Sequence, residues 1–261
     1  MQSPTRSVRE DDDVPTAANT GTASHARDPA VNARALTRIG GGVGILSILL
    51  LLVAIATGPT KLINANSSAA QIINSLGAHT SQAAASDAVA VLGLTLFIWF
   101  AASLAHTLQV RDRGTPLGFV VLGAGIAVSV LGSLDNVMNS VLIFLAKQGG
   151  LATEPALTRT LYHLYNGLVM PGMVAFATAV YLAGIAFAAL RSAIGRRWLG
   201  WLSLIFVPLS LVSGFVGLTV SDGGTSAAAP LGVLGFVLIT VITGVFMVRD
   251  KPRTEPARRE I

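Results

Sequence analysis

Six stretches free of formal charge divide this chain, and each is at least as long as a bilayer's apolar core is thick. Arg38 and Lys61 enclose 22 uncharged residues, Asp87 and Arg111 enclose 23, and Arg113 and Asp135 enclose 21. Arg159 and Arg191 enclose 31, Arg197 and Asp222 enclose 24, and Asp222 and Arg249 enclose 26. A hydrocarbon core of about 30 Å needs roughly 20 apolar residues in a helix. The expected fold class is therefore all-α: a polytopic membrane helix bundle with six transmembrane helices.

The loops fix the expected orientation. With six crossings and a cytoplasmic N-terminus, the cytoplasmic segments hold Arg6, Arg9, Arg27, Arg34 and Arg38, then Arg111 and Arg113, then Arg191, Arg196 and Arg197. The C-terminal tail adds Arg249, Lys251, Arg253, Arg258 and Arg259, which makes 15 of the 18 basic residues. Only Lys61, Lys147 and Arg159 fall in the outer loops. That asymmetry is the positive-inside pattern, and it predicts N-in, C-in. Trp198 and Trp201 at the inner mouth of the fifth helix, with Tyr162 and Tyr165 at the outer mouth of the fourth, fit interfacial aromatic belts.

Residues 1–33 read as a disordered cytoplasmic tail, with the acidic run Glu10-Asp11-Asp12-Asp13 and no apolar periodicity. This acidic opening has no apolar h-region near Met1 and does not read as a secretory signal peptide. Residues 34–249 form the expected membrane domain and 250–261 a short basic cytoplasmic tail. The pI near 10 reflects juxtamembrane Arg and Lys clusters that mark topology and meet anionic headgroups, so no nucleic-acid partner is expected. Without cysteine the chain has no disulfide, no thiolate metal site and no Cys nucleophile. Its wealth of Ala, Gly and Val is typical of bacterial chains, which points to a bacterial plasma (inner) membrane.

Within the spans, Gly40 and Gly44 form a small-xxx-small pair suited to close helix approach. Ile72, Ile73 and Leu76 share one face of a short expected helix, over 68–76, that lies on the membrane surface or caps the bundle. The third span carries Gly118, Gly123, Gly125, Ser129, Gly132 and Ser133, a small-residue surface that suggests a central position. If it runs unbroken from Leu117 to Ala146 it is about 45 Å long, so it either leans strongly or breaks near Asp135.

Polarity concentrates toward the outer ends of helices two to five: Asp87, Asp135, Asn136, Asn139, His163, Asn166 and Asp222. Intramembrane ionisable groups normally face a bundle interior or a wet cavity, which makes a polar pocket of Asp135, Asn139, His163, Asn166 and Asp87 the candidate site. Asp135 with His163 is the natural pair; a satisfied structural contact is the alternative. Asp87 and Asp222 also read as helix-end carboxylates that complement the helix dipole. His106 and His163 fall at different depths, so a shared haem is not expected, and no cofactor or metal is assigned.

Arg38-Ile39-Gly40-Gly41, Asp87 heading a long second helix, and Arg196-Arg197-Trp198-Leu199-Gly200-Trp201 resemble a broad group of uncharacterised bacterial six-helix integral membrane proteins, over about residues 36 to 248. The resemblance implies the same topology and adds no catalytic residue. The expected function is that of an accessory or small-solute-binding membrane protein with a polar pocket facing the extracytoplasmic side. A small transporter or channel for a cation or solute comes second and an intramembrane enzyme third. The expected partners are the lipid bilayer and a second membrane protein, or another copy of the chain, through the Gly/Ala/Ser helix faces.

Overall fold

The computed structural model describes residues 29–58, 68–78, 80–112, 115–149, 155–163, 172–191, 197–219 and 228–249. Of the two expected tails, only residues 29–33 lie inside it. There they open the first helix, with Pro29 in the first helical position, where its missing N–H is no loss.

The described residues form eight helices and no strand. They are α1 (Pro29–Thr57), α2 (Ala69–Ala78), α3 (Thr80–Arg111), α4 (Leu117–Lys147), α5 (Pro155–His163), α6 (Ala175–Leu190), α7 (Arg197–Thr219) and α8 (Ala228–Val248). A π-helical turn over 172–174 leads into α6. Six of these are long and apolar enough to cross a membrane: α1, α3, α4, α6 with its leading turn, α7 and α8. Helices suit that solvent because each closes its backbone hydrogen bonds within itself.

The spans pack as a ring in chain order: α1 on α3, α3 on α4, α4 on α6, α6 on α7, α7 on α8, and α8 back on α1. Close contacts run in opposite directions along neighbours. A Cβ on Gly40 would meet Ser103, one on Gly44 would meet Phe100, and one on Gly93 would lie 3.1 Å from the Ser47 carbonyl. Arg38, Arg111, Arg191, Arg197 and Arg249 accordingly share one end of the bundle, here termed the basic face; the opposite end is the far face. The perimeter is apolar, with Ile55, Trp99, Phe119, Val130, Phe187, Ile205 and Phe215 all more than half exposed, as lipid contact requires.

The helices approach through small residues. α1 serves two neighbours at once: Gly40 and Gly44 face α3, while Gly41 faces α8, where a Cβ would lie 2.6 Å from the Gly244 carbonyl. On α4 the seven-residue series Gly118, Gly125 and Gly132 faces α3, against Ala105 and Gln109, Ala101, and Leu94 respectively. This repeat keeps one seam turned to one partner along the length of both helices. The small surface of α4 is therefore a stripe toward α3, and Gly123 is exposed with nothing within 4 Å of its would-be Cβ. The most buried of the spans is α6, which touches α4, α7 and α8.

The middle of the ring is filled by aromatic side chains. Phe97 of α3 lies 5.8 Å from Phe100, 5.3 Å from Tyr181 of α6 and 5.0 Å from Phe236 of α8, ring centre to ring centre. Phe97, Phe100 and Tyr181 have no exposed surface, and the Tyr181 hydroxyl sits 3.4 Å from the Thr240 hydroxyl. Tilted and edge-on rings of this kind hold each other by about 0.5–1.5 kcal/mol per pair beyond the area they bury.

Two short helices belong to the far face. α2 begins with a reciprocal cap: the Gln71 N–H donates to Ser68 Oγ (3.3 Å) and the Ser68 N–H to Gln71 Oε1 (2.9 Å). It buries Ile72 and packs on α4 and α5. The short helix expected over 68–76 is thus present, as a cap over the end of α4. α5 holds Tyr162 and His163, which were expected to open the fourth span; the described part of that span runs from Gly172 to Leu190.

Candidate functional site

α3 and α4 are the longest helices, with 32 and 31 residues, about 48 and 46 Å at 1.5 Å per residue. α8 has 21 residues, about 32 Å. The α3–α4 pair supports a polar cluster near the far face, and α2 packs over the same end of α4. α4 is unbroken through Asp135, because Ser133, Asn136 and Asn139 are accommodated without interrupting the helix. Asn136 spends its amide on its own helix, donating to the Gly132 carbonyl at 2.7 Å.

Asp87 is the hub. Asn139 Nδ2 donates to both its carboxylate oxygens, at 3.2 and 3.0 Å, and Ser140 Oγ donates to Oδ2 at 3.0 Å. All three contacts cross from α4 to α3, and both donors are neutral. These bonds satisfy the carboxyl group where it would otherwise meet the apolar bundle. Asp87 therefore does not cap its helix: α3 starts at Thr80, seven residues earlier, because the Thr80–Ser86 segment is Ala-rich and continues the helix outward past the carboxylate.

Asp135 lies on α4 one turn from Asn139, about 6 Å deeper toward the aromatic middle. Its side chain is only 4% exposed, and its Oδ1 is fully buried with no hydrogen-bond partner among the described residues. The Asp87 carboxylate bears on it electrostatically. Two acidic side chains thus belong to the far end of the α3–α4 seam, one served by three donor contacts and the other with an oxygen left bare.

Of the five candidate residues, three come together here: Asp87, Asn139 and Asp135. The side chain of His163 and the whole of Asn166 lie outside the described residues, so the Asp135–His163 pair does too. Ser140 was not among the candidates; its signal was adjacency to Asn139, which puts two donors side by side on one helix. His106 is exposed on α3 near the basic face. Among the described residues no group of three His, Asp or Glu side chains comes together as a metal site.

Compared with protein-family models, with curated proteins and with solved structures, the chain finds no match in any of the three. Its functional reading rests on its own geometry.

Proposed function

We propose that this multi-pass membrane protein is an accessory or small-solute-binding subunit of a bacterial plasma membrane, with its polar site open toward the extracytoplasmic side. One observation carries the reading: the two buried carboxylates, Asp87 and Asp135, both lie toward the far face, and the middle is filled by Phe97, Phe100, Tyr181 and Phe236. Phe97 lies ten residues along α3 from Asp87, about 15 Å, or half a hydrocarbon core. A solute that reaches Asp87 meets an aromatic floor, which favours binding over passage. The distribution of Arg and Lys supports placing the polar end outside and both termini in the cytoplasm.

Native mass spectrometry of the full chain, purified from its own host in mild detergent, tests this reading. A stoichiometric second membrane protein makes the chain an accessory subunit. A retained non-lipid mass that is lost in Asp87→Ala makes it a solute-binding protein. A bare chain, with neither partner nor ligand across several detergents, overturns the proposal.

A further inference from the structure

The α3–α4 cluster has a composition that its own hydrogen bonds leave unfinished. Asn139 commits its Nδ2 to Asp87, and Ser140 commits its hydroxyl proton to the same carboxylate. Besides the second amide N–H of Asn139, what remains of these side chains is oxygen: the amide oxygen of Asn139, the lone pairs of Ser140, the free lone pairs of Asp87 and, fully buried, the bare Oδ1 of Asp135. A buried carboxylate with a bare oxygen, on the same seam as a second carboxylate, calls for a positive charge. Among the described residues the facing elements add no positive group. α2 contains no ionisable residue, and α6 contains only Tyr181, whose hydroxyl is engaged with Thr240. α3 contributes a second negative charge, Asp87, rather than a positive one.

We infer that Asp135, Asp87, Asn139 and Ser140 form a binding site for one unit of positive charge, an alkali cation or a proton, lodged at the Asp135 carboxylate. The site is a deepening of the solute-binding reading above, on whose polar end it rests. Exchange between the two occupants balances charge: one sodium ion enters as one proton leaves, and no electron moves.

Infrared difference spectroscopy on the full chain in lipid nanodiscs tests this. The sample is perfused alternately with sodium chloride and choline chloride at neutral pH. Wild type is compared with Asp135→Asn, and a wild-type sample carrying carbon-13 aspartate identifies the aspartic acid band without any substitution. If a proton is the occupant, an aspartic acid band is present in both salts, shifts with the isotope and is lost in Asp135→Asn. If sodium is the occupant, the band appears in choline only, and adding sodium chloride releases about one proton per chain in wild type and none in the variant. A spectrum with no isotope-sensitive aspartic acid band in either salt, and no sodium-dependent change in carboxylate bands, leaves Asp135 ionised with nothing bound and overturns the inference. This reading uses no partner and no solute, so its failure is separate from a failure of the native mass measurement.

Discussion

At the residue scale the most instructive side chain is Asp87. Hydropathy places it where the apolar run begins, which reads as a helix start, yet α3 begins seven residues earlier at Thr80. Hydropathy reports where lipid begins; helix propensity reports where the backbone coils, and the Ala-rich stretch before Asp87 separates the two. The carboxylate consequently faces a neighbouring helix instead of its own first turn. The partners on α4 were visible in the sequence as a polar string, but not which of them faces inward. Asn136 and Asn139 are three positions apart, and the structure sends one to its own helix and one across the seam. Substituting Asn139→Leu strips Asp87 of two of its three contacts and is expected to cost about 1–2 kcal/mol of stability. Asn136→Leu gives up only a bond within its own helix and is expected to cost less than half as much. Equilibrium unfolding in mixed micelles compares the two. A cycle with Ser140→Ala should be non-additive, since both donors serve one carboxylate.

At the element scale the glycines carry the packing, and here the sequence was legible in part. Gly40 and Gly44 were recognisable by spacing as a close-approach pair, and α3 does lie against them. The small surface of α4 was equally visible, but its meaning was not, because spacing counts small residues without saying which of them has a neighbour. Gly118, Gly125 and Gly132 face α3, while Gly123, between two of them, faces away. Only the rotation of the helix about its axis separates these roles, and that rotation is set by tertiary packing. The consequence is measurable with matched substitutions. On α4, Gly125→Val must push against Ala101, 2.6 Å from the new Cβ, and is expected to destabilise by about 1–3 kcal/mol, while Gly123→Val is near neutral. On α1, Gly44→Val meets the Phe100 ring and should be costly, whereas Gly42→Val meets nothing. Thermal unfolding midpoints of the four variants in one detergent decide it; equal losses at facing and non-facing glycines would mean that the helix rotations are wrong. The residual uncertainty of the sequence over α4, whether it leans or breaks, was of the same kind. Its polar residues permit a break, but Asn136 pays for its place by bonding back to Gly132, and the helix continues.

At the scale of the whole molecule the count of spans was the most legible feature, because a charge-free run of bilayer length has few other uses. The aromatic centre was not legible, since Phe97, Tyr181 and Phe236 sit on three helices far apart in sequence and meet only when the ring closes. That centre explains how the bundle combines a polar end with a sealed middle. Phe97→Ala would remove the ring that touches Phe100, Tyr181 and Phe236 together, and is expected to cost about 3–5 kcal/mol. Planar-bilayer recording of wild type should show no single-channel current. Orientation is the remaining property at this scale, and the natural absence of cysteine makes it directly measurable. In intact cells, Lys61→Cys, Lys147→Cys and Arg159→Cys should react with an impermeant thiol reagent, while Arg113→Cys, Arg196→Cys and Lys251→Cys should react only after lysis. The reverse pattern would turn the bundle over. The Asp87 cluster would then open to the cytoplasm, where the solutes and ions available to it are different, and the positive-inside argument would have failed at every loop rather than at one.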